Sequence, residues 1–262
     1  MDSETVRVTN DGGVATLTLN RPDVHNAFDD QLIAVLTARL RDLDANPQVR
    51  VVVLAANGKS FSAGADLNWM KRMAAYSEAE NLRDAVGLAD LMHTLSAMSK
   101  PTIARVQGPA YGGGVGLVAC CDIAVGTPAV AFSLSEVRLG LIPAVISPHV
   151  VAAIGERQAR RYFLTAERFD AAQAHRIGLL HEVVDEAQLD AKIEELVSHL
   201  LKGGPKSQTA AKRLIEAVVN RPIDRPLVED TAERIARIRV THEGKEGVAA
   251  FLEKRAPGWT TK

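Results

Sequence analysis

Central to this sequence is Phe61-Ser62-Ala63-Gly64-Ala65-Asp66-Leu67, a run of mostly small residues that follows the apolar residues 49–55. A second run, Tyr111-Gly112-Gly113-Gly114-Val115-Gly116, follows the mostly apolar and β-branched segment 102–106 in the same way. The β-branched composition of both apolar segments predicts strands that are buried on both faces. Because small residues carry few atoms beyond the backbone, the two runs can approach each other closely.

Strand and helix patterns alternate on either side of these runs. We expect strands at 5–8, 14–19, 49–55, 102–106 and 123–125, with a hairpin turn at Asp11-Gly12-Gly13. Helices are expected from Asp29 to Asn46-Pro47 and at 79–98 and 115–121. This alternation predicts an α/β fold with parallel strands. The spacing leaves open a barrel, an open sheet or a spiral.

The chain becomes helical beyond Pro148. The apolar periodicity predicts helices at 152–164, 171–177, 187–201, 206–219 and 227–240. We expect a catalytic core at 1–200 and a helical extension at 201–262, of a kind that often packs on a neighbouring subunit.

Composition gives no reason to expect several classes of partner, although it does not exclude a local basic patch. The 262 residues are 47% apolar with a net charge of −1, which gives no electrostatic reason to expect nucleic acid. No apolar run approaches the ~20 residues of a membrane span, and the N-terminus lacks a signal-peptide pattern. Cys120 and Cys121 lie in an apolar run and are expected to be buried small hydrophobic residues. A reducing cytoplasm fits this usage.

Common catalytic signatures are missing. The glycine run departs from G-x-G-x-x-G at Leu117, and Gly58-Lys59 lacks the upstream glycine of a phosphate loop because Val53 is there. His242-Glu243 has Glu246 where a zinc motif needs its second histidine, and no G-x-S-x-G is present. We therefore expect no metal, no dinucleotide and no acyl-enzyme serine.

Oxyanion chemistry remains. Two backbone N–H groups aimed at one point would stabilise the negative charge that develops on a carbonyl oxygen, without using any side chain. Glu136 could then move the proton, since apolar neighbours would raise its pKa towards neutrality. The alternatives are two ordinary tight turns and a solvated glutamate.

The motifs together resemble the enoyl-CoA hydratase/isomerase (crotonase) superfamily over essentially the whole chain. The resemblance lies in 61–67, in Gln107-Gly108-Pro109-Ala110-Tyr111-Gly112-Gly113-Gly114, in Cys121-Asp122-Ile123-Ala124, in Glu136 with Leu139-Gly140-Leu141-Ile142-Pro143, and in Asn20-Arg21-Pro22 with Asn26-Ala27-Phe28. It implies a crotonase-like spiral of ββα units with a helical C-terminal trimerisation region. The implied assembly is a homotrimer or a dimer of trimers.

The resemblance also implies site residues. The oxyanion hole would be the N–H groups of Ala65 and Gly113, and Glu136 would be the catalytic glutamate. Coenzyme A, which is part of the acyl-CoA substrate and not a separate cofactor, would contact Val24, His25, Ala63, Asp66 and Leu67. Candidates for the acyl pocket, with ordinary core packing as the alternative, are Trp69, Met70, Met73, Ile142 and Pro143.

One position departs from the family pattern. Hydratases of this family commonly carry another glutamate where this chain has Gly116. A single carboxylate could orient a water that supplies both hydroxyl and proton, or it could shuttle a proton between two carbons. The first favours hydration of an α,β-unsaturated acyl-CoA, and the second Δ3,Δ2-enoyl-CoA isomerisation. A non-catalytic acyl-CoA-binding module is the third alternative.

Residues 134–148, with Ala153-Ile154-Gly155-Glu156-Arg157, most resemble the bacterial methylglutaconyl-CoA and isohexenylglutaconyl-CoA hydratase branch, which acts in leucine or acyclic-terpene breakdown. That resemblance implies a branched, dicarboxylic acyl chain. The distal carboxylate would need a partner, for which the candidates are Lys71, Arg72, Arg138 and His149.

Overall fold

The computed structural model describes residues 5–260. The strands within this range are β1 Val6–Asp11, β2 Val14–Leu19, β3 Val51–Ala56, β4 Thr102–Val106, β5 Ala110–Tyr111, β6 Ile123–Gly126, β7 Ala131–Ser133, β8 Phe169–Asp170 and β9 Glu182–Val183. The helices are α1 Asp30–Ala45, α2 Leu67–Met73, α3 Glu78–Ser96, α4 Gly113–Cys120, α5 Ser147–Thr165, α6 Ala171–Arg176, α7 Leu189–Lys202, α8 Pro205–Val218, α9 Arg225–Val240 and α10 His242–Leu252.

The main sheet has six strands in the order β1-β2-β3-β4-β6-β9. β1 and β2 form the predicted antiparallel hairpin, and every later neighbour pairs in parallel. All six residues of β3 are buried, as its continuous apolar sequence predicts. The expected alternation of parallel strands and helices is confirmed.

A second sheet brings together the loops that follow β5 and β7. It has three strands in the order β5-β7-β8, with β5 and β7 parallel. These strands are two or three residues long, so the sequence alone did not predict them. Their pairing brings the segment after β7 beside the glycine turn after β5.

Helix α2 is an addition to the predicted pattern. Its N-terminus is capped by the Asp66 carboxylate, which accepts hydrogen bonds from the N–H groups of Asn68 (2.8 Å) and Trp69 (3.3 Å). α3 begins one residue earlier than predicted, at a capping box formed by Ser77 and Glu80. The residues after the first small-residue run therefore form a separate short helix.

The C-terminal part is helical, as predicted, and α10 extends it beyond the predicted last helix. The predicted boundary between residues 200 and 201 falls inside α7, which ends before Gly203. A boundary between two helices would fall at 203–204, and the division into a core and an extension stays a prediction. Several apolar side chains of this region are exposed: Ile215, Val219, Ile223, Val240, Phe251 and Leu252. Among residues 5–260, no helix combines the length and apolar character needed to cross a bilayer.

Candidate active site

Two loops meet because their strands are neighbours. Residues 57–66 follow β3 and residues 107–109 follow β4, and the carboxyl ends of parallel neighbours lie at one edge of the sheet. Ser62 and Ala110 form a parallel bridge, and the Tyr111 N–H donates to the Ser62 carbonyl at 2.9 Å. The two small-residue runs are therefore hydrogen-bonded to each other.

Gly64 shows why the first run needs small residues. Its φ is +84°, and a Cβ at this position would lie 2.9 Å from the carbonyl oxygen of Tyr111. A Cβ on Gly114 would meet the Ser62 carbonyl at 2.8 Å. The backbones approach more closely than side-chain-bearing residues would allow.

The N–H of Ala65 points away from its own bridge partner. In the parallel bridge between Phe28 and Ala65, the Phe28 N–H donates to the Gly64 carbonyl and the Asp66 N–H donates to the Phe28 carbonyl, both at 2.7 Å. These bonds use the groups on either side of Ala65, so its own N–H faces the opposite side. It has no acceptor within the part of the chain that the structure describes.

The N–H of Gly113 is also unpaired. Gly113 is the first residue of α4, where position alone removes the intrahelical acceptor. The preceding Gly112 N–H donates to the Ser133 carbonyl at 3.0 Å, whereas none of residues 5–260 accepts from Gly113. Two free N–H donors thus lie on loops in direct contact, one of them at a helix N-terminus that favours negative charge.

Glu136 reaches this turn through the second sheet. It begins a short 3-10 helix, Glu136–Leu139, soon after β7. A Cβ on Gly112 would lie 3.1 Å from Glu136 Oε1, so the carboxylate faces the glycine turn. Oε2 is buried and has no hydrogen-bond partner among the described residues. Burial raises the pKa of the Glu136 carboxyl, and a hydrogen bond from its own backbone N–H opposes this in part.

A clamp holds the loop at residues 20–28. The Asn26 side chain is fully buried; its amide group donates to the carbonyls of Asn57 (2.9 Å) and Ser60 (3.0 Å). The Arg21 guanidinium donates to the Ala27 carbonyl at 2.7 Å and pairs with Asp29 and Asp66. This clamp is a feature that the sequence analysis did not identify, although both residues lie in quoted motifs.

The predicted coenzyme A residues border the joined loops. Val24 and His25 are exposed, and the His25 carbonyl accepts from the Ala63 N–H at 2.9 Å. Leu67 is 74% exposed at the start of α2. Asp66 differs from the others, because its N–H, carbonyl and carboxylate are all engaged within the protein. Asp66 therefore shapes the loop, and its contact with coenzyme A stays a prediction.

The predicted acyl-pocket residues have unlike environments. Trp69 is 4% exposed within the main core and donates its Nε1–H to Asp84 at 3.2 Å; Met73 packs against that core. Pro143 is buried, Met70 is half-buried and Ile142 is 72% exposed. Their grouping around an acyl chain stays a prediction.

The four candidates for a distal carboxylate also differ. Arg72 pairs with Asp30 at 2.5 Å, and both are exposed. Lys71 and Arg138 are exposed as well. His149 is half-buried, and burial lowers its pKa, with a smaller contribution from nearby His93. His149 is therefore a neutral hydrogen-bonding group near pH 7 rather than a cation.

The chain resembles known proteins over almost its full length. The model of the family described as Enoyl-CoA hydratase/isomerase matches residues 9–262. This chain belongs to the enoyl-CoA hydratase/isomerase family. An enoyl-CoA hydratase of Alternaria alternata is 34% identical over 93% of this chain and 80% of its own. The crotonyl-CoA hydratase of Syntrophomonas wolfei is 29% identical over the whole of both chains.

Solved structures agree. The crystal structure of an enoyl-CoA hydratase from Shewanella pealeana matches with a TM-score of 0.96 and 47% identity, covering 98% of this chain and 97% of that one. The expected crotonase-like α/β fold with a helical C-terminal region is thereby confirmed. An acyl-CoA substrate fits this membership of the enoyl-CoA hydratase/isomerase family.

Proposed function

We propose that this protein hydrates the double bond of an α,β-unsaturated acyl-CoA. The Ala65 and Gly113 N–H groups would form the oxyanion hole, with Glu136 as the catalytic carboxylate. One observation carries the proposal: two unpaired N–H donors lie on hydrogen-bonded loops, and the Glu136 carboxylate faces the turn that contains one of them. Val24, His25, Ala63 and Leu67 border the same loops and would contact coenzyme A.

The reaction adds water across the double bond. A water oxygen bonds to the β-carbon, and the π electrons move through the α-carbon to the thioester oxygen, which becomes an enolate oxyanion. The two N–H donors stabilise that charge, and loss of one such donor typically costs ~10²–10³ in rate. The ionised Glu136 accepts the proton of the water and then returns it to the α-carbon, which completes the hydroxyacyl-CoA.

A raised pKa suits Glu136 to both halves of this cycle. A carboxylate with an ordinary pKa would be a weak base near neutrality, whereas one raised by burial binds the proton more readily. Because Oε2 of Glu136 has no hydrogen-bond partner among the described residues, it is free to accept a hydrogen bond from a water molecule. A single carboxylate can thus act as base and then as acid.

Isomerisation is the second candidate, and Gly116 favours it. Moving a double bond from C3 to C2 requires one group that removes a proton from C2 and returns it to C4. Glu136 could do both steps without a second carboxylate. A non-catalytic acyl-CoA-binding module is disfavoured, because binding alone gives no reason to hold a buried carboxyl with an unpaired oxygen beside the glycine turn.

For the native substrate we propose a branched glutaconyl-type acyl-CoA, which would place the reaction in leucine or acyclic-terpene breakdown. The support is the sequence resemblance at 134–148 and the presence of Arg138 and His149 near Glu136 along the chain. A homotrimer or dimer of trimers is proposed on the resemblance to the crotonase superfamily, and a cytoplasmic location on the free, buried cysteines Cys120 and Cys121. The exposed apolar residues of α8, α9 and α10 support the assembly.

A substrate comparison tests the activity. The purified protein is given methylglutaconyl-CoA, crotonyl-CoA and 3-hexenoyl-CoA, and products are separated by mass spectrometry. Hydroxyacyl-CoA from the first two, fastest from methylglutaconyl-CoA, is expected. Double-bond migration in 3-hexenoyl-CoA without hydration would favour the isomerase. Tight coenzyme A binding without turnover of any of the three substrates would favour the non-catalytic acyl-CoA-binding module.

A further inference from the structure

We propose that Ile146 restricts this site to one catalytic carboxylate by filling the space that a side chain at position 116 would occupy. The inference rests on the proposed hydratase or isomerase chemistry. A Cβ on Gly116 would lie 2.3 Å from Ile146 Cγ2 and 2.9 Å from Ile146 Cβ. Packed protein interiors do not tolerate such contacts, so a larger residue at 116 requires Ile146 to move.

The first turn of α4 relates the position of Gly116 to that of Glu136. The Gly116 N–H donates to the Gly112 carbonyl at 3.3 Å, so Gly116 lies one turn after Gly112, the N-cap residue of α4. Because the Glu136 carboxylate faces Gly112, position 116 lies one turn along α4 from the residue that this carboxylate faces.

Ile146 is fixed in this place. It is 2% exposed and caps α5, where its carbonyl accepts from the Val150 N–H at 3.0 Å. The next atom facing Gly116 is Cε of the fully buried Met92, at 3.2 Å from the added Cβ. The three atoms nearest to an added Cβ at position 116 are therefore apolar carbons. Such surroundings would not hold a second carboxylate or a proton-relaying water.

One segment then determines both features of the site. Glu136 and Ile146 lie ten residues apart in one segment. Its first half is closed by a hydrogen bond from the Leu141 N–H to the Glu136 carbonyl, at 3.0 Å. The first residue of this segment, Glu136, supplies the carboxylate. The last, Ile146, fills the space that a second carboxylate at position 116 would need. All proton transfer would pass through Glu136.

A double-mutant cycle on thermal stability tests the packing. Gly116→Ala, Ile146→Ala and the double variant are compared by melting temperature. Ile146→Ala removes the closest atom, Cγ2 at 2.3 Å, and leaves the Cβ of residue 146 at 2.9 Å and Met92 Cε at 3.2 Å from the added Cβ. We expect Gly116→Ala to lower the melting temperature much less in the Ile146→Ala background than in the wild type. Ile154→Ala, a second buried isoleucine of α5, is the matched control and should give no relief.

The catalytic half is tested by adding the missing carboxylate. Gly116→Glu alone should be unstable or inactive, whereas Gly116→Glu/Ile146→Ala should hydrate crotonyl-CoA at least tenfold faster than Ile146→Ala. Its pH profile of kcat/KM should also gain a second acidic ionisation. Equal destabilisation by Gly116→Ala in both backgrounds, or a double variant no faster than Ile146→Ala, would overturn the proposal. The melting cycle needs no substrate, so a wild type that hydrates nothing would count against the proposed function alone.

Discussion

The Glu136 carboxylate lies against the main chain of Gly112, since a Cβ at position 112 would stand 3.1 Å from Glu136 Oε1. The two residues are joined by the short sheet, in which Tyr111 of β5 is paired with Ser133 of β7. The proposed proton-transfer group is thus positioned by backbone pairing rather than by a side-chain partner. This relationship gives the proposed reaction its first test.

Replacing Glu136 with Gln should lower kcat by about 10²–10⁴, because proton transfer by a positioned group contributes roughly that factor. KM should change little, and the melting temperature should show that the variant is folded, since the side chain keeps its shape. Steady-state kinetics with the preferred enoyl-CoA and a thermal melt measure both. Glu186→Gln, at an exposed glutamate, is the control and should behave as the wild type. Retained turnover in Glu136→Gln would remove Glu136 from the mechanism.

The raised pKa of Glu136 predicts a pH dependence of activity. The reaction begins with the ionised carboxylate, so kcat/KM should rise with pH through the raised pKa of Glu136 and then level off. The midpoint should lie above the ordinary value of 4.5. A midpoint at or below that value would contradict the desolvated environment of the carboxyl.

The same pKa predicts a pH dependence of stability with the opposite direction. A carboxyl whose pKa is raised on folding binds its proton more tightly in the folded state. Its contribution to stability is therefore complete below the unfolded-state pKa and is lost as pH rises through the folded-state pKa. The melting temperature of the wild type minus that of Glu136→Gln should fall over this window. A difference that rises with pH would contradict it.

The Arg21 clamp should affect binding more than chemistry. Arg21→Ala removes the hydrogen bond to the Ala27 carbonyl and the pairings with Asp29 and Asp66, which together hold the proposed coenzyme A loop. Loss of a buried partner typically costs about 1–3 kcal/mol, so a lower melting temperature and a roughly tenfold higher KM are expected. Calorimetric titration with coenzyme A measures the binding change. Arg7→Ala, on the exposed face of β1, should change neither value.

The main architecture follows from local patterns. Residues 49–55 and 102–106 are rich in apolar and β-branched residues, and β3 and β4 form there because burial on both faces favours such residues. The unpaired N–H groups are also predictable in part, since small residues after both strands indicate close approach. The lack of an acceptor for the Ala65 N–H depends on the bridge of Phe28 with Ala65, which is a tertiary contact.

The rest depends on long-range pairing that sequence does not encode locally. β5, β8 and β9 have two residues each, too few for a pattern of alternation. Only Thr241, the cap residue of both helices, separates α10 from α9, so no loop marks the boundary between them. Ile146 is thirty residues from Gly116, and its contact with that glycine becomes visible only when α5 packs on α4.

Gly64 offers a test of how close approach of the two loops supports activity. Gly64→Ala must accommodate both a φ of +84° and a Cβ 2.9 Å from the Tyr111 carbonyl oxygen. Gly12→Ala is the matched control, because Gly12 has a φ of +54° in the remote hairpin and no heavy atom within 4 Å of an added Cβ. The control should lose about 1–2 kcal/mol of unfolding free energy from the backbone conformation alone. Gly64→Ala should lose a further ~1–3 kcal/mol from overpacking.

The two variants should also separate in catalysis. Moving the Gly64 loop away from Tyr111 shifts the neighbouring Ala65 N–H relative to Gly113, so we expect kcat to fall by about 10²-fold in Gly64→Ala, as when one oxyanion donor is lost. Gly12→Ala should keep the kcat of the wild type. Denaturant unfolding and steady-state kinetics on both proteins provide the measurements. If Gly64→Ala lost stability but kept full kcat, the Ala65 N–H would not be an oxyanion donor, because its displacement would have left the transition state unaffected.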